Sequence, residues 1–303
     1  MRKASLMKMG LTIILFIVLF IKIDISEVLV ILSSLHIGYY VLALIFIPLL
    51  YVIRTFRWEI LLRAMKIKRP FSNLLLVLII GVFYGLITPG KVGELGRAYH
   101  LKEKKTKTVP TILIEKITDI ITLFVLSILT ISLFFNNYSG FEYVIFAGAL
   151  AIILVTWSLT SKNLISLFIK PFKLANEQVD EFVDSFLHIF KNRQIMYKTF
   201  FLAICYYVIN YISAYFLLLA LDIDPSTVIA LPLVVLMGNI PVTISGLGLR
   251  ESMGAICFIL LGESGANGVS FSMMLFVTTT LLPGFFGYLF LLAERKSDMS
   301  SGN

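Results

Sequence analysis

Long runs without Asp, Glu, Lys or Arg alternate along the chain with short charged connectors, a pattern that predicts helices spanning a lipid bilayer. The uncharged runs cover residues 28–53, 71–90, 120–141, 143–161, 199–221, 225–249, 252–262 and 264–293. A crossing helix needs about 20 apolar residues, and most of these runs supply them. A shorter run, 9–21, lies between Lys8 and Lys22, whose long side chains can snorkel to the two interfaces. It reads as a first span. No small-residue cleavage site follows it before Asp24, so a retained signal-anchor helix fits better than a removed signal peptide.

The charged connectors fix an expected orientation. Of 26 basic residues, three precede the first span, six lie in 54–69, seven in 91–116 and six in 162–198. Acidic residues mark the other connectors: Asp24, Glu27, Glu142, Asp222, Asp224 and Glu263. Basic loops stay in the cytoplasm, which places both termini inside and the acidic connectors outside. The net charge of +8 is therefore a topology signal. The charges are scattered between spans rather than gathered on one soluble face, so no nucleic-acid partner is expected. Composition agrees with a membrane protein: 58% of residues are hydrophobic, 15% are charged, and mean hydropathy is +0.93. Cys205 and Cys257 sit in apolar runs without metal-ligand spacing, and no metal or other cofactor is expected.

Two uncharged runs break the simple count of crossings. Residues 71–90 have basic connectors on both sides, which predicts a re-entrant segment bending at Gly81, Gly85, Pro89 and Gly90. Residues 225–262 start and end beside acidic connectors and are interrupted by Pro241, Gly246 and Gly248. The strings that close the two breaks are alike, TPGKVGELGR over 88–97 and IPVTISGLGLRE over 240–251. Broken helices in corresponding places of two halves point to an inverted-repeat transporter with a site near the midplane. The expected fold is thus an all-α integral membrane protein. It has about six full transmembrane helices plus two re-entrant or broken helical hairpins, in a single polytopic domain over 1–303 with a polar tail at 297–303. Within 162–198, Ala175, Val179, Phe182, Val183, Phe186, Leu187 and Phe190 share one face of a helix, opposite Glu177, Asp180, Glu181 and Asp184. This reads as a cytoplasmic connector lying along the inner interface.

Charges inside or beside membrane helices need a reason. Glu94 and Arg97 follow the first break, near Lys91 and Gly93, and their spacing puts them on one helical face. Glu115 and Asp119 are four apart and project from one face, where pairing with Lys116 or nearby basic loops is the plain alternative to a site. Arg54, Arg57 and Trp58 read first as interfacial anchors. Arg250 and Glu251 follow the second break, and Arg250 demands an anionic partner or a water-filled cavity. Such a set suits an amphiphile carrying a phosphate: guanidinium groups grip phosphate oxygens in pairs, and freed N–H groups at helix breaks add donors. No Ser-His-Asp set, Walker loop, HExxH string or EF-hand is present.

Three strings together, PGKVGELGR, EKITD at 115–119 and PVTISGLGLRE, resemble the lysylphosphatidylglycerol synthase transmembrane-region family. The RTFRW string at 54–58 belongs to the same resemblance, which runs over nearly the whole chain. It implies lipid translocation, with a membrane lipid as substrate, and leaves room for a homo-oligomer and for a lipid-modifying enzyme as partners. Lys116 stands where the family's motif is expected to carry arginine. No aminoacyl-transferase domain follows Asn303, so lysyl-lipid synthesis is not expected of this chain. The expected activity is flippase-like movement of a phospholipid or a polyprenyl-phosphate-linked lipid across the cytoplasmic membrane. The alternatives are a membrane-embedded transferase or accessory protein acting on lipid-linked sugars, and a small-solute transporter.

Overall fold

The structure is a computed structural model and describes residues 21, 23–88, 91–134, 143, 150, 158, 161–162, 165–166, 176–240 and 242–301. The expected first span up to residue 20, the helix breakers Pro89, Gly90 and Pro241, Ala175 and most of the run 143–161 lie outside these residues. Every regular element among the described residues is helical. The α-helices are α1 (Ile25–Ser33), α2 (Ile37–Ala64), α3 (Phe71–Ile87), α4 (Lys105–Phe134), α5 (Asn176–Phe190), α6 (Arg193–Ala220), α7 (Leu231–Asn239), α8 (Leu249–Leu260), α9 (Gly265–Phe276) and α10 (Leu282–Ser301). Short 3₁₀ helices cover Val92–Tyr99 and Pro225–Ala230, and one π-helical turn, Val277–Leu281, joins α9 to α10. Local chemistry sets several of these boundaries. Asp24 accepts the Ser26 N–H at the start of α1, and Asp224 does the same for Ser226 where Pro225 opens its 3₁₀ helix.

Among the described residues, three helices are long and apolar enough to cross a bilayer: α2, α6 and the continuous stretch Gly265–Glu294. Their surfaces are turned inside out relative to those of a water-soluble helix. On α6, Tyr197, Phe201, Ile204, Val208, Ile212 and Tyr215 form an exposed apolar stripe, while Asn210 and Ser213 are buried. An apolar stripe of that length has no suitable solvent except lipid.

The chain divides into two compact units. Unit 1 comprises Met1–Val52, Leu75–Arg97 and Tyr207–Asn303; unit 2 comprises Ile53–Leu74 and Ala98–Tyr206. The core of unit 1 joins Ala43, Ala214, Leu217, Leu231, Val234, Phe258, Phe271 and Leu275. Within it, α8 and α9 pack backbone to backbone: a Cβ on Gly254 would lie 2.5 Å from the Gly268 carbonyl oxygen, and one on Gly268 would lie 2.2 Å from that of Gly254. Small residues give membrane helices this closeness, which dispersion forces reward where lipid tails leave little hydrophobic drive. In unit 2, Leu61, Ile114 and Ile165 meet Val179, Phe182, Val183, Phe186, Leu187 and Ile189. The amphipathic pattern expected near 175–190 is therefore the helix α5, but its apolar face is covered by the protein itself. The inner interface was expected to take that face; packing on α4 satisfies the same stripe of aromatic and branched side chains.

Candidate functional site

In unit 1 the first break begins where α3 ends. The helix continues without interruption through Gly81 and Gly85, where bends were expected, and the returning chain uses both glycines as seats. The Thr88 hydroxyl donates to the Tyr84 carbonyl at 2.7 Å and accepts the Gly93 N–H at 2.7 Å, closing the end of the helix. Lys91 takes a left-handed backbone, φ +54°, and the 3₁₀ helix Val92–Tyr99 then doubles back along α3. A Cβ on Gly85 would lie 2.7 Å from Glu94 Cγ, and one on Gly81 would lie 3.0 Å from Arg97 Cδ. Residues three apart eclipse in a 3₁₀ helix, so Glu94 and Arg97 sit in register on two glycines four apart in α3. Both side chains are buried.

The second break repeats this construction. After α7 the chain reverses through Ser245 (φ +52°), Gly246 (φ +77°) and Gly248 (φ +85°), then enters α8. A Cβ on Gly246 would lie 2.1 Å from the Gly238 carbonyl oxygen, so only glycine combines that conformation with that approach. Arg250 folds back onto α7: its Nε lies 2.9 Å from where a Cβ on Gly238 would be. Its Nη2 donates to the Ser245 carbonyl at 2.8 Å, and its guanidinium lies 4.6 Å from the centre of the Phe276 ring. An anionic partner or a water-filled cavity was expected around Arg250; its direct contacts are these two groups, with the charge of the adjoining Glu251 close by. Glu251 instead accepts the Gly248 N–H at 2.6 Å and fixes the start of α8. Lys91 Nζ donates to Asn239 Oδ1 at 3.3 Å, which joins the first break to the end of α7.

Unit 2 holds the remaining charges as a balanced cluster. Arg54 Nε donates to Glu115 Oε1 at 2.7 Å. Arg57 grips Asp119 with two bonds, Nη1 to Oδ1 at 2.6 Å and Nη2 to Oδ2 at 2.9 Å, and reaches Glu115 Oε1 at 3.4 Å. Trp58 donates from its indole N–H to the Thr111 hydroxyl at 3.0 Å. Arg57 is 1% exposed and Trp58 and Glu115 are 0% exposed, which overturns the reading of Arg54, Arg57 and Trp58 as interfacial anchors. Their indole and guanidinium donors face α4, whose Thr111, Glu115 and Asp119 lie along one helical face at spacings of four.

The structure thus sorts the nine charged residues singled out in the sequence into two sets. Lys91, Glu94, Arg97, Arg250 and Glu251 belong to unit 1, and Arg54, Arg57, Glu115 and Asp119 to unit 2. Set beside known proteins, the chain matches the family model described as the lysylphosphatidylglycerol synthase TM region over residues 6–287, a span that takes in both breaks and the ion-pair cluster. The chain belongs to this family. It is also similar over nearly its full length to two archaeal members of a membrane-protein group designated UPF0104. One, from Methanocaldococcus jannaschii, is 24% identical over 92% of each chain; the other, from Pyrococcus horikoshii, is 22% identical over 99% of this chain and 100% of its own. Family and helices together establish a multi-pass membrane protein.

Sequence reasoning missed the surfaces on which the charges rest: Gly81, Gly85, Gly238, Asn239, Ser245 and Phe276. One signal was available. Gly81 and Gly85 share a helical face, and paired small residues on one face mark a close approach at least as well as a bend.

Proposed function

We propose that this protein translocates an anionic lipid, a phospholipid or a polyprenyl-phosphate-linked lipid, between the leaflets of the cytoplasmic membrane. The observation that carries the reading is the state of Arg250. A guanidinium has five N–H donors, and Arg250, 4% exposed, gives one of them to a described protein acceptor. The adjoining Glu251 acts on its charge without a hydrogen bond, and its direct contacts are a carbonyl dipole and an aromatic face, an arrangement that leaves donors for a phosphate oxygen. Lys91, Glu94 and Arg97 at the other break extend the same chemistry. The lysine and arginine favour anionic groups, and the carboxylate of Glu94 suits a cationic headgroup. In unit 2 the guanidiniums of Arg54 and Arg57 already face two carboxylates, so a phosphate there would first have to displace them.

The matching construction of the two breaks also supports an inverted repeat, in a fold of about six full spans with both termini cytoplasmic. In each, a left-handed residue that is not glycine precedes an arginine folded onto a glycine of the preceding helix. The family description, with its reference to lysylphosphatidylglycerol, supports a phospholipid cargo.

The test is movement of fluorescent phosphatidylglycerol across liposomes containing the purified protein. Arg250→Ala removes the unspent donors and should slow movement roughly tenfold to a hundredfold, the scale of a lost hydrogen bond to a charged group. Arg250→Lys should recover part of the rate, since lysine keeps the charge without the planar fork. Unchanged lipid movement in both Arg250→Ala and Glu94→Gln would reject this site. Passage of a labelled water-soluble solute with no lipid movement would make the protein a solute transporter.

A further inference from the structure

Unit 2 carries an exposed basic rim at the end of α2, one of the helices fit to span a bilayer. The helix closes on Lys66. The Lys66 N–H donates to the Arg63 carbonyl and the Ile67 N–H to the Leu62 carbonyl, each at 3.0 Å, with Ile67 and Leu62 buried. Lys66 takes the left-handed position of this cap, φ +61°, which glycine usually fills. Lys102 has the same conformation, φ +53°, in the connector ahead of α4. Arg69 stitches the two connectors together, donating from Nη2 to the Leu101 carbonyl at 2.9 Å and to Glu103 Oε1 at 2.8 Å. Lysines from two stretches of chain therefore converge at one end of the unit.

Carboxylates answer only part of this charge. Glu59 pairs with Arg63, Glu103 with Arg69 and Glu181 with Lys104. Lys66, Lys68, Lys102 and Lys105 are exposed and make no ion pair among the described residues. The Lys105 ammonium sits 3.6 Å from the centre of the Tyr99 ring, which is 64% exposed. Further along α2, the exposed ring of Phe56 meets that of Phe71 at 4.5 Å. Lysines on long stems beside exposed aromatic rings, just past the end of a spanning helix, match the headgroup level of a bilayer. Holding a loop on one side of a membrane requires basic residues anywhere in it, not two connectors clipped together with the neighbouring carboxylates already engaged. A soluble anion is best held by a cradle of converging donors, whereas exposed lysines spread over a surface match a plane of phosphates. We propose that this rim is a docking surface for the anionic phospholipid headgroups of the adjoining leaflet. It belongs to unit 2, whereas Arg250 belongs to unit 1, and it requires no lipid to cross the membrane.

The experiment places the protein in phosphatidylcholine vesicles and compares spin-labelled phosphatidylglycerol with spin-labelled phosphatidylcholine, reading the motionally restricted lipid held at the protein surface. The wild type should prefer phosphatidylglycerol about fivefold, the scale of one lysine beside an anionic headgroup. The preference should shrink as sodium chloride rises toward about 1 M, where exposed charges are screened. The quadruple variant Lys66→Gln, Lys68→Gln, Lys102→Gln and Lys105→Gln should lose most of it, and the corresponding four changes to arginine should keep it. Where four changes together impair folding, the pairs Lys66→Gln with Lys68→Gln and Lys102→Gln with Lys105→Gln carry the test, each lowering the preference. The proposal falls if the glutamine variants keep the wild-type preference, if the arginine variant loses it, or if salt leaves it unchanged. It also falls if inorganic phosphate erases the preference at an ionic strength where chloride does not, which would make the ligand a free anion. The measurement needs no transport, so vesicles in which labelled lipid fails to cross count against translocation and not against the rim.

Discussion

Arg57 shows what the buried charges do for stability. It is held by Asp119 through two bonds and by Glu115 at longer range, almost entirely out of solvent. Removing one partner of a buried pair strands the other, at a cost of about 3–5 kcal/mol, whereas removing both leaves no stranded charge. Arg57→Ala should therefore lower thermal stability in detergent more than the double variant Arg57→Ala with Asp119→Ala does. A double-mutant cycle showing additive losses would mean that the pair is not coupled. The members of this cluster stand out in the sequence as RTFRW and EKITD, but their pairing does not. Arg54 and Glu115 are 61 positions apart, and no local periodicity reports which helix faces which. The breaks were legible because Pro, Gly and a following arginine are local signals. The glycine seats beneath Arg97 and Arg250 are tertiary, and there Gly238→Ala should push Arg250 off α7 and reduce lipid movement while membrane insertion stays normal.

Helix α5 shows why a surface connector must be judged with its partners. Its amphipathic period was plain in the sequence, yet period alone does not distinguish a lipid surface from the side of another helix. The structure supplies the difference in the cluster around Leu61, Ile114 and Phe186, and polar tethers border it. Glu181 accepts from the Thr106 hydroxyl at 2.9 Å and pairs with Lys104; Lys162 donates to Asp184. The Thr106 bond, with help from Lys104, holds the Glu181 carboxyl below its ordinary range, and the hydrogen bond to Asp184 holds the Lys162 ammonium above its own. The signs are opposite. The Glu181 contribution is present above the ordinary carboxylate range and fades as pH falls through its lowered value; the Lys162 contribution is present below the ordinary lysine range and fades as pH rises through its raised value. Amide-exchange protection of α5 should accordingly stay level around neutrality and drop at both acidic and strongly alkaline pH. Phe186→Ala should cost about 3–5 kcal/mol and expose the helix to protease at neutral pH.

For the molecule as a whole, composition and uncharged runs sufficed to identify a multi-pass helical membrane protein, because lipid imposes its demands on every spanning residue alike. Division into two units was not legible. The boundary falls within α2, α3, the 3₁₀ helix Val92–Tyr99 and α6, between residues 52 and 53, 74 and 75, 97 and 98, and 206 and 207, where no linker composition marks it. Orientation can be tested directly: cysteines placed in the segments 65–69 and 102–104 should both react only with a reagent on the cytoplasmic side. Reaction from outside at either loop would turn α3 into an ordinary crossing. The π-helical turn at Val277–Leu281 affects how such a protein can change over evolution. Before the turn, α9 presents Gly268 and Ser272 to α8; after it, α10 presents Gly284 and Gly287 to Leu86 and Ile79 of α3, while the Thr279 carbonyl in the turn accepts from the Tyr51 hydroxyl at 2.9 Å. Each residue of a helix advances its face by about 100°, so the turn works as a phase shifter between two cogs on one shaft. Deleting one residue there would spoil one meshing while leaving hydropathy and length almost untouched, so in this segment insertions and deletions should be far less tolerated than substitutions.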